Sequence, residues 1–180
     1  MEKWNDDDIV LALKEDVVAG FRLLMMRYGE TVYWHIRRLV VSHYDAQDAS
    51  QETFVRIYRS FDRFKGNCPL SVWIYRIATN EALRIIDRRR EKNASLDDPD
   101  VNIGGMMADE YLDYSDLEAV KLQKAIMALP TKQRLAFNLR YYDELDYDEI
   151  AQIAGSNVAS VKMNYHIAKE KIIKYMNTMT

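Results

Sequence analysis

The side chains of this chain that could do covalent chemistry do not converge. His35, His43 and His166 are scattered, the only cysteine is Cys68, and none of these has metal-ligand spacing, so each histidine reads as a surface or boundary residue. Asp45, Asp48 and Glu52 form a carboxylate cluster, but with Gln47 and Gln51 interleaved at helical spacing they spread along one outer face. Such a face suits protein docking or plain solvation, not an acid–base pair, which needs two carboxylates in unlike environments. The Gly104-Gly105 pair is too short to cradle a phosphate and lies among acidic residues. With no nucleophile, metal set or cofactor loop in view, a small helical enzyme is disfavoured. The expectation is a protein without enzyme activity, cofactor or small-molecule substrate.

Two segments carry chemistry of another kind, the recognition of nucleic acid. Trp73-Ile74-Tyr75-Arg76-Ile77-Ala78-Thr79-Asn80 mixes aromatics, an arginine and an amide, and leads into Asp87-Arg88-Arg89-Arg90. Rings stack on unpaired bases while arginines meet the backbone. On these residues alone a bland role is the preferred reading, with Trp73 and Tyr75 as half-buried packing and the arginines as solvated surface. Further on, Asp146 and Glu149 make a capping box, Gly155 suits a left-handed helix stop, and Asn157 can cap the helix that follows. A short helix, a glycine-opened turn and a longer amphipathic helix make the helix-turn-helix pattern, with a plain helical hairpin as the alternative. With Val161, Tyr165 and Ala168 inward, Ser160, Met163, Asn164, Ile167 and Lys171 project outward, as on a helix that enters a major groove. Lys162, Lys169, Lys171 and Lys174 against Glu170 leave residues 159–180 at +3, enough for phosphate contact.

The elements that must position these residues are helical. In 180 residues, 48% hydrophobic content builds a core, while six glycines and three prolines leave little punctuation for a many-stranded sheet. Phe21, Leu24, Met25, Tyr28, Val32, Ile36 and Leu39 make one apolar stripe, and Leu24-Met25-Met26 read as core filler. Asp45 can cap a second helix with Ala49, Thr53, Ile57 and Phe61 inward. After a break at Gly66, Asn67 and Pro69, the last suited to a first helical turn, Leu70, Ile74, Ile77 and Ile85 mark the buried side of a third. Beyond residue 116, Leu122, Ile126 and Leu129 stripe a helix that Pro130 ends, and Thr131 can cap the next, with Leu135 and Leu139. Ile150 and Ile153 stripe the following helix, and Val161, Tyr165, Ala168, Ile172 and Tyr175 the last.

Charge divides the chain in three. Residues 1–92 carry sixteen basic and fourteen acidic side chains, residues 93–116 no basic and seven acidic, and residues 117–180 nine basic and seven acidic. The overall −3 is therefore concentrated between two weakly basic blocks and does not argue against a nucleic-acid partner. The acidic stretch, with Pro99, Gly104 and Gly105 and no apolar period, reads as a flexible solvated linker. Asp6-Asp7-Asp8 stand where a secretion signal would be basic and then apolar, and no apolar run approaches the roughly 18 residues of a membrane span. With one cysteine, the expectation is a cytoplasmic chain with no membrane insertion.

Taken in order, these segments resemble an extracytoplasmic-function (ECF) sigma factor, a minimal two-domain member of the sigma-70 superfamily. Asp45-Ala-Gln-Asp-Ala-Ser-Gln-Glu-Thr-Phe54 is similar to the region-two helix that docks on core RNA polymerase. Trp73 to Asn80 with Asp87-Arg-Arg-Arg90 is similar to the segment that melts and reads the minus-ten element. Leu129-Pro130, Gln133 to Arg140, Tyr147 to Gly155 and Val161-Lys162 are similar to region four, which reads the minus-thirty-five element. The implied fold is all-α, with a region-two bundle at 1–92, an acidic flexible linker at 93–116 and a region-four helix-turn-helix domain at 117–180. The resemblance implies core-polymerase docking through Asp45, Gln47, Asp48, Gln51 and Glu52. It implies minus-ten contacts from Phe64, Lys65, Asn67, Trp73, Arg76, Asn80, Arg84 and Arg88, with the 62–67 loop helping to hold a flipped base. It implies minus-thirty-five contacts from Ser160, Lys162, Met163, Asn164, His166, Ile167 and Lys171.

The partners so implied are core RNA polymerase, promoter DNA and an anti-sigma factor, and the role is initiation of a stress- or signal-induced regulon. The linker would then run through the polymerase active-site and RNA-exit region. Four residues depart from the family pattern: Asn164 and Ile167 stand where arginines are frequent, Ser156 where the turn is usually apolar, and Ala159 where a glycine opens the last helix. These bear on promoter sequence and not on activity. The rival reading is a free-standing helix-turn-helix regulator that binds duplex DNA as a dimer.

Overall fold

A computed structural model describes residues 4–40, 42–94 and 117–178. Among them every regular element is helical, with no strand. The chain forms two compact units, Met1–Lys92 and Asn93–Thr180. The expected linker at 93–116 falls outside the described residues except at its start, where positions 93 and 94 complete a helix.

Unit 1 opens with α1 (Asp6–Glu15), which Asn5 caps in a reciprocal box with Asp8, and α2 (Val17–Val40) follows at once. The two helices approach so closely at Gly20 that a β-carbon there would collide with the backbone of Ala12 and Leu13. Asp6 ties them further: Tyr28 Oη donates to it at 2.6 Å and Arg27 pairs with it at 3.0 Å. Burial first, and then this hydrogen bond, push the Tyr28 hydroxyl above its ordinary pKa and keep it neutral.

The buried stripe of α2 is Leu24, Tyr28, Val32, Ile36 and Leu39. Met25 and Met26 are not core filler: at 41% and 68% exposure they turn off the stripe into solvent. His35 is not a boundary residue either. It is fully buried under the Tyr75 ring, with its Nε2 2.8 Å from Thr79 Oγ1, because a hydroxyl partner lets the ring leave water at small cost.

Helix α3 (His43–Ser60) is capped by Ser42, whose Oγ accepts from the Asp45 N–H, so Asp45 lies in the first turn and is not the cap. Ala49, Thr53 and Ile57 are buried as expected. Phe61 instead opens a short 3-10 turn, Phe61–Arg63, and packs half-buried against Phe64 and Trp73. Helix α4 (Leu70–Ala94) buries Leu70 and Ile74, whereas Ile77 and Ile85 are only half-buried.

Unit 2 contains α5 (Leu117–Met127), α6 (Thr131–Tyr141), α7 (Tyr147–Ala154) and α8 (Val158–Thr178). The cap position of α6 is Pro130, with no side-chain bond, and Thr131 is already helical. Arg134 compensates by donating to the carbonyls of Met127 and Leu129 at 2.9 and 3.1 Å, closing the α5–α6 corner. Asp146 and Glu149 form the expected capping box at 2.8 and 3.0 Å. Gly155 ends α7 at φ 61°, and Asn157 Oδ1 accepts from the Ser160 N–H at 2.8 Å. The core beneath is Ala125, Ile126, Leu129, Phe137, Ala168 and Ile172, with Tyr165 and Tyr175 at its margin.

Candidate functional site

On α3, Gln47, Asp48, Gln51 and Glu52 are all exposed, a result of burying the opposite side through Ala46, Ala49, Ser50 and Thr53. Asp45 stands apart from them, half-buried and ion-paired with Arg89 of α4. Three exposed apolar residues share the acidic face: Tyr44 (78%), Val55 (39%) and Tyr58 (47%). Their spacing of +11 and +14 was present in the sequence, but an exposed stripe cannot be told from a buried one by periodicity alone.

Along α4, Trp73, Asn80 and Arg84 recur at +7 and +11 on one helix face, with Arg76 and Arg88 beside it. Trp73 is half-buried, 5.2 Å from the Phe64 ring and 6.4 Å from Phe61. Tyr75 is core, leaving Trp73 as the aromatic of this segment that reaches the surface. Asn80, Arg84 and Arg88 are exposed and Arg76 is half-buried. Lys65 and Asn67 are exposed in the turn before α4. There Phe64 and Asn67 line a cleft of about 540 Å³ with Asp6, Asp7 and Val10 of α1, a contribution from α1 that no spacing in the sequence announces.

Sequence spacing also missed Glu81. This carboxylate is 5% exposed, adjoins Asn80, and joins two helices: Arg56 of α3 reaches it at 2.6 Å, and Arg84 at 3.0 Å. Arg56 also meets Glu52 at 3.2 Å, so the acidic face of α3 runs by contact into the Asn80 face of α4. Arg56 and Glu81 are 25 positions apart, beyond any helical repeat.

On α8, Ser160, Asn164 and Ile167 are half-buried along one edge, at +4 and +7, while Met163 (60% exposed) and His166 stand clear. His166 lies 3.4 Å from Glu170, and Lys171 donates to Gln133 at 3.0 Å. Lys162 is exposed, with its ammonium 5.5 Å from the Tyr147 ring centre, and Arg140 approaches the same ring at 5.0 Å. Ser156 in the turn and Ala159 at the start of α8 are both exposed, so a polar or a methyl side chain costs the packing nothing. No group of metal-ligating side chains occurs among the described residues, and no described helix is long and apolar enough to cross a membrane.

Unit 1 thus offers an acidic helix against a cationic, amide-bearing one, and unit 2 a capped helix-turn-helix. The family model of Sigma-70 region 2 matches residues 24–92, and that of Sigma-70, region 4 matches residues 119–172. The ECF RNA polymerase sigma-E factor of Escherichia coli K12 is 31% identical over 180 residues, covering 95% of this chain and 94% of that protein. The ECF RNA polymerase sigma factor SigW of Bacillus subtilis is 32% identical over 164 residues, covering 84% and 86%. Two solved structures share the fold. They are CnrH in complex with the cytosolic domain of CnrY (TM-score 0.74, 18% identity, 97% and 99% covered) and RpoE with the anti-sigma factor NepR from Bartonella quintana (TM-score 0.70, 20%, 89% and 98%).

The chain belongs to the ECF sigma factors of RNA polymerase. It is a transcription factor that binds core RNA polymerase and promoter DNA and directs transcription initiation.

Proposed function

We propose that the two units divide this work, unit 1 docking on the polymerase and opening the minus-ten element, unit 2 reading the minus-thirty-five element as duplex. The observation that carries the division is the contrast of surfaces. A stripe of half-buried Trp73 with exposed Asn80 and Arg84 suits an unpaired strand, whose bases stack and whose edges meet an amide. A rigidly capped helix with Asn164 on its edge suits a groove.

Docking then runs through Gln47, Asp48, Gln51 and Glu52 with Tyr44, Val55 and Tyr58 as apolar anchors, and Asp45 contributes by holding Arg89. The factor performs no covalent chemistry and works in the cytoplasm, where the polymerase is. CnrH and RpoE were solved bound to partners, the latter an anti-sigma factor, and we infer that an anti-sigma factor controls this chain too and sets a signal-induced regulon.

In-vitro transcription with core polymerase and a random promoter library tests the reading. It predicts enrichment of bipartite promoters, transcribed only when factor and core are both present. Tight binding to a palindromic duplex without polymerase would instead favour a dimeric regulator.

A further inference from the structure

One cleft of unit 1 is acidic beside a surface that is otherwise cationic. It measures about 540 Å³, with Asp6, Asp7 and Val10 of α1 on one side and Phe64 and Asn67 of the turn before α4 on the other. Among the described residues no lysine or arginine lines it. That volume is within the roughly 300–1,000 Å³ of small-ligand sites. Carboxylates without a cation repel phosphate, so the occupant is neutral or positive. The two carboxylates are not equivalent. Asp6 is engaged inside the protein, accepting from Tyr28 and paired with Arg27. Asp7 is exposed, and among the described residues neither its carboxylate nor the Asn67 side-chain amide has a partner.

We propose that Asp7 is a specificity-determining residue of this cleft: it admits an unpaired promoter base that carries an exocyclic amino group and rejects thymine. The proposal rests on the reading that unit 1 handles the unpaired strand, and it adds which bases are accepted at one position. A carboxylate only accepts hydrogen bonds, whereas the Asn67 amide can donate. Cytosine, adenine and guanine each offer an amino donor to Asp7 and an acceptor to Asn67. Thymine has no amino group, and its one ring N–H lies between two carbonyl oxygens that a carboxylate must face at a cost. A base is favoured over a basic side chain of a protein partner because Phe64, 5.2 Å from Trp73, carries the ring surface of α4 into the cleft. Asp7 is held ready for it. Asn5 and Asp8 cap α1 on either side of Asp7, and Asp6 fastens the same turn to α2. A preformed acceptor lowers the ordering cost of binding.

The test uses holoenzyme on forked promoter fragments selected from the random library, in which each unpaired position in turn carries all four bases. At one position thymine should bind about tenfold more weakly than the favoured base, the scale of one good base contact. Asp7→Asn keeps the shape and supplies a donor as well as an acceptor, so the thymine penalty should fall to about twofold or less there and stay unchanged elsewhere. Replacing only the amino group of the favoured base by hydrogen should weaken the wild type about as much as thymine does, and Asp7→Asn little. The base whose amino group matters identifies which of the three is taken. Asp7 is an exposed first-turn residue, so an unchanged melting curve and unchanged affinity for core polymerase verify that the variant differs only at this site.

A full thymine penalty in Asp7→Asn would overturn the proposal, as would a wild type that tolerates thymine at every unpaired position. So would a loss of core-polymerase affinity with base preference unchanged, which would assign the cleft to a basic segment of a protein partner. Asn80→Ala on the same forks separates the two levels. If it weakens fork binding while Asp7→Asn alters no preference, only the assignment of Asp7 fails. If neither variant has an effect, the strand-handling reading fails with it.

Discussion

The two surfaces proposed for recognition are built by opposite means. In unit 2 the helix proposed to enter the groove is placed by bonds between near neighbours: Asp146 with Glu149, Gly155 in the left-handed region, Asn157 with Ser160. In unit 1 the surface proposed to meet the unpaired strand is placed by pairs distant in sequence: Asp45 with Arg89, Arg56 with Glu81, His35 with Thr79. The difference suits the proposed targets. A duplex groove accepts one rigid helix, so fixing where that helix begins is enough. An unpaired strand must be met from two sides, by rings, amides and cations on different helices, and only tertiary pairing holds those in register.

The largest effect is expected at the proposed docking face. Asp48→Lys with Glu52→Lys should reduce association with core polymerase roughly a hundredfold or more, since each reversed contact costs several kcal/mol. Both residues are exposed, and the Glu52–Arg56 pair is of the kind worth about 0–1 kcal/mol, so the melting temperature should hardly move. Co-purification with core polymerase alongside thermal denaturation reads both quantities, and normal holoenzyme formation would remove this face from the docking role.

A smaller effect tests the local construction of unit 2. Gly155→Ala forces a β-carbon into a backbone at φ 61°, at a cost of about 1–2 kcal/mol. All three tryptophans, Trp4, Trp34 and Trp73, lie in unit 1. The tryptophan-fluorescence melt should therefore stay in place while part of the far-ultraviolet circular-dichroism melt moves down. A tryptophan transition that shifts equally would show the two units unfolding as one.

The smallest effect concerns Lys162. Lys162→Ala should weaken promoter binding by a similar factor for every upstream sequence and lower the salt slope by roughly one charge. A loss confined to one base pair would instead make Lys162 a base reader, released from the Tyr147 ring that it lies over here.

The same contrast explains what the sequence could disclose. The capping box, the glycine stop and the stripe Val161, Ala168 and Ile172 were legible because helix signals act over three to seven residues. Met25 and Met26 misled because an apolar residue next to a stripe carries no mark of which side it faces. His35 misled because its partners Thr79 and Tyr75 lie forty or more positions away. Asp45 could have capped a helix from its residue type, but Ser42 begins that helix one turn earlier and leaves Asp45 for Arg89. Glu81 went unseen because it is buried beside Asn80 and its partner Arg56 is on another helix.

The division of labour itself is tested most directly by permanganate footprinting of Asn80→Ala and Asn164→Ala holoenzymes over a panel of promoter variants. The proposed division predicts that Asn80→Ala weakens strand opening and relaxes preference within the minus-ten element, with duplex recruitment nearly intact. It predicts that Asn164→Ala relaxes selectivity at one or two upstream positions, by roughly the 1–3 kcal/mol of a bidentate amide–adenine pair, and melts a pre-opened template normally. If Asn164→Ala impaired melting while Asn80→Ala shifted only the upstream preference, the roles of the two units would be the reverse of those assigned.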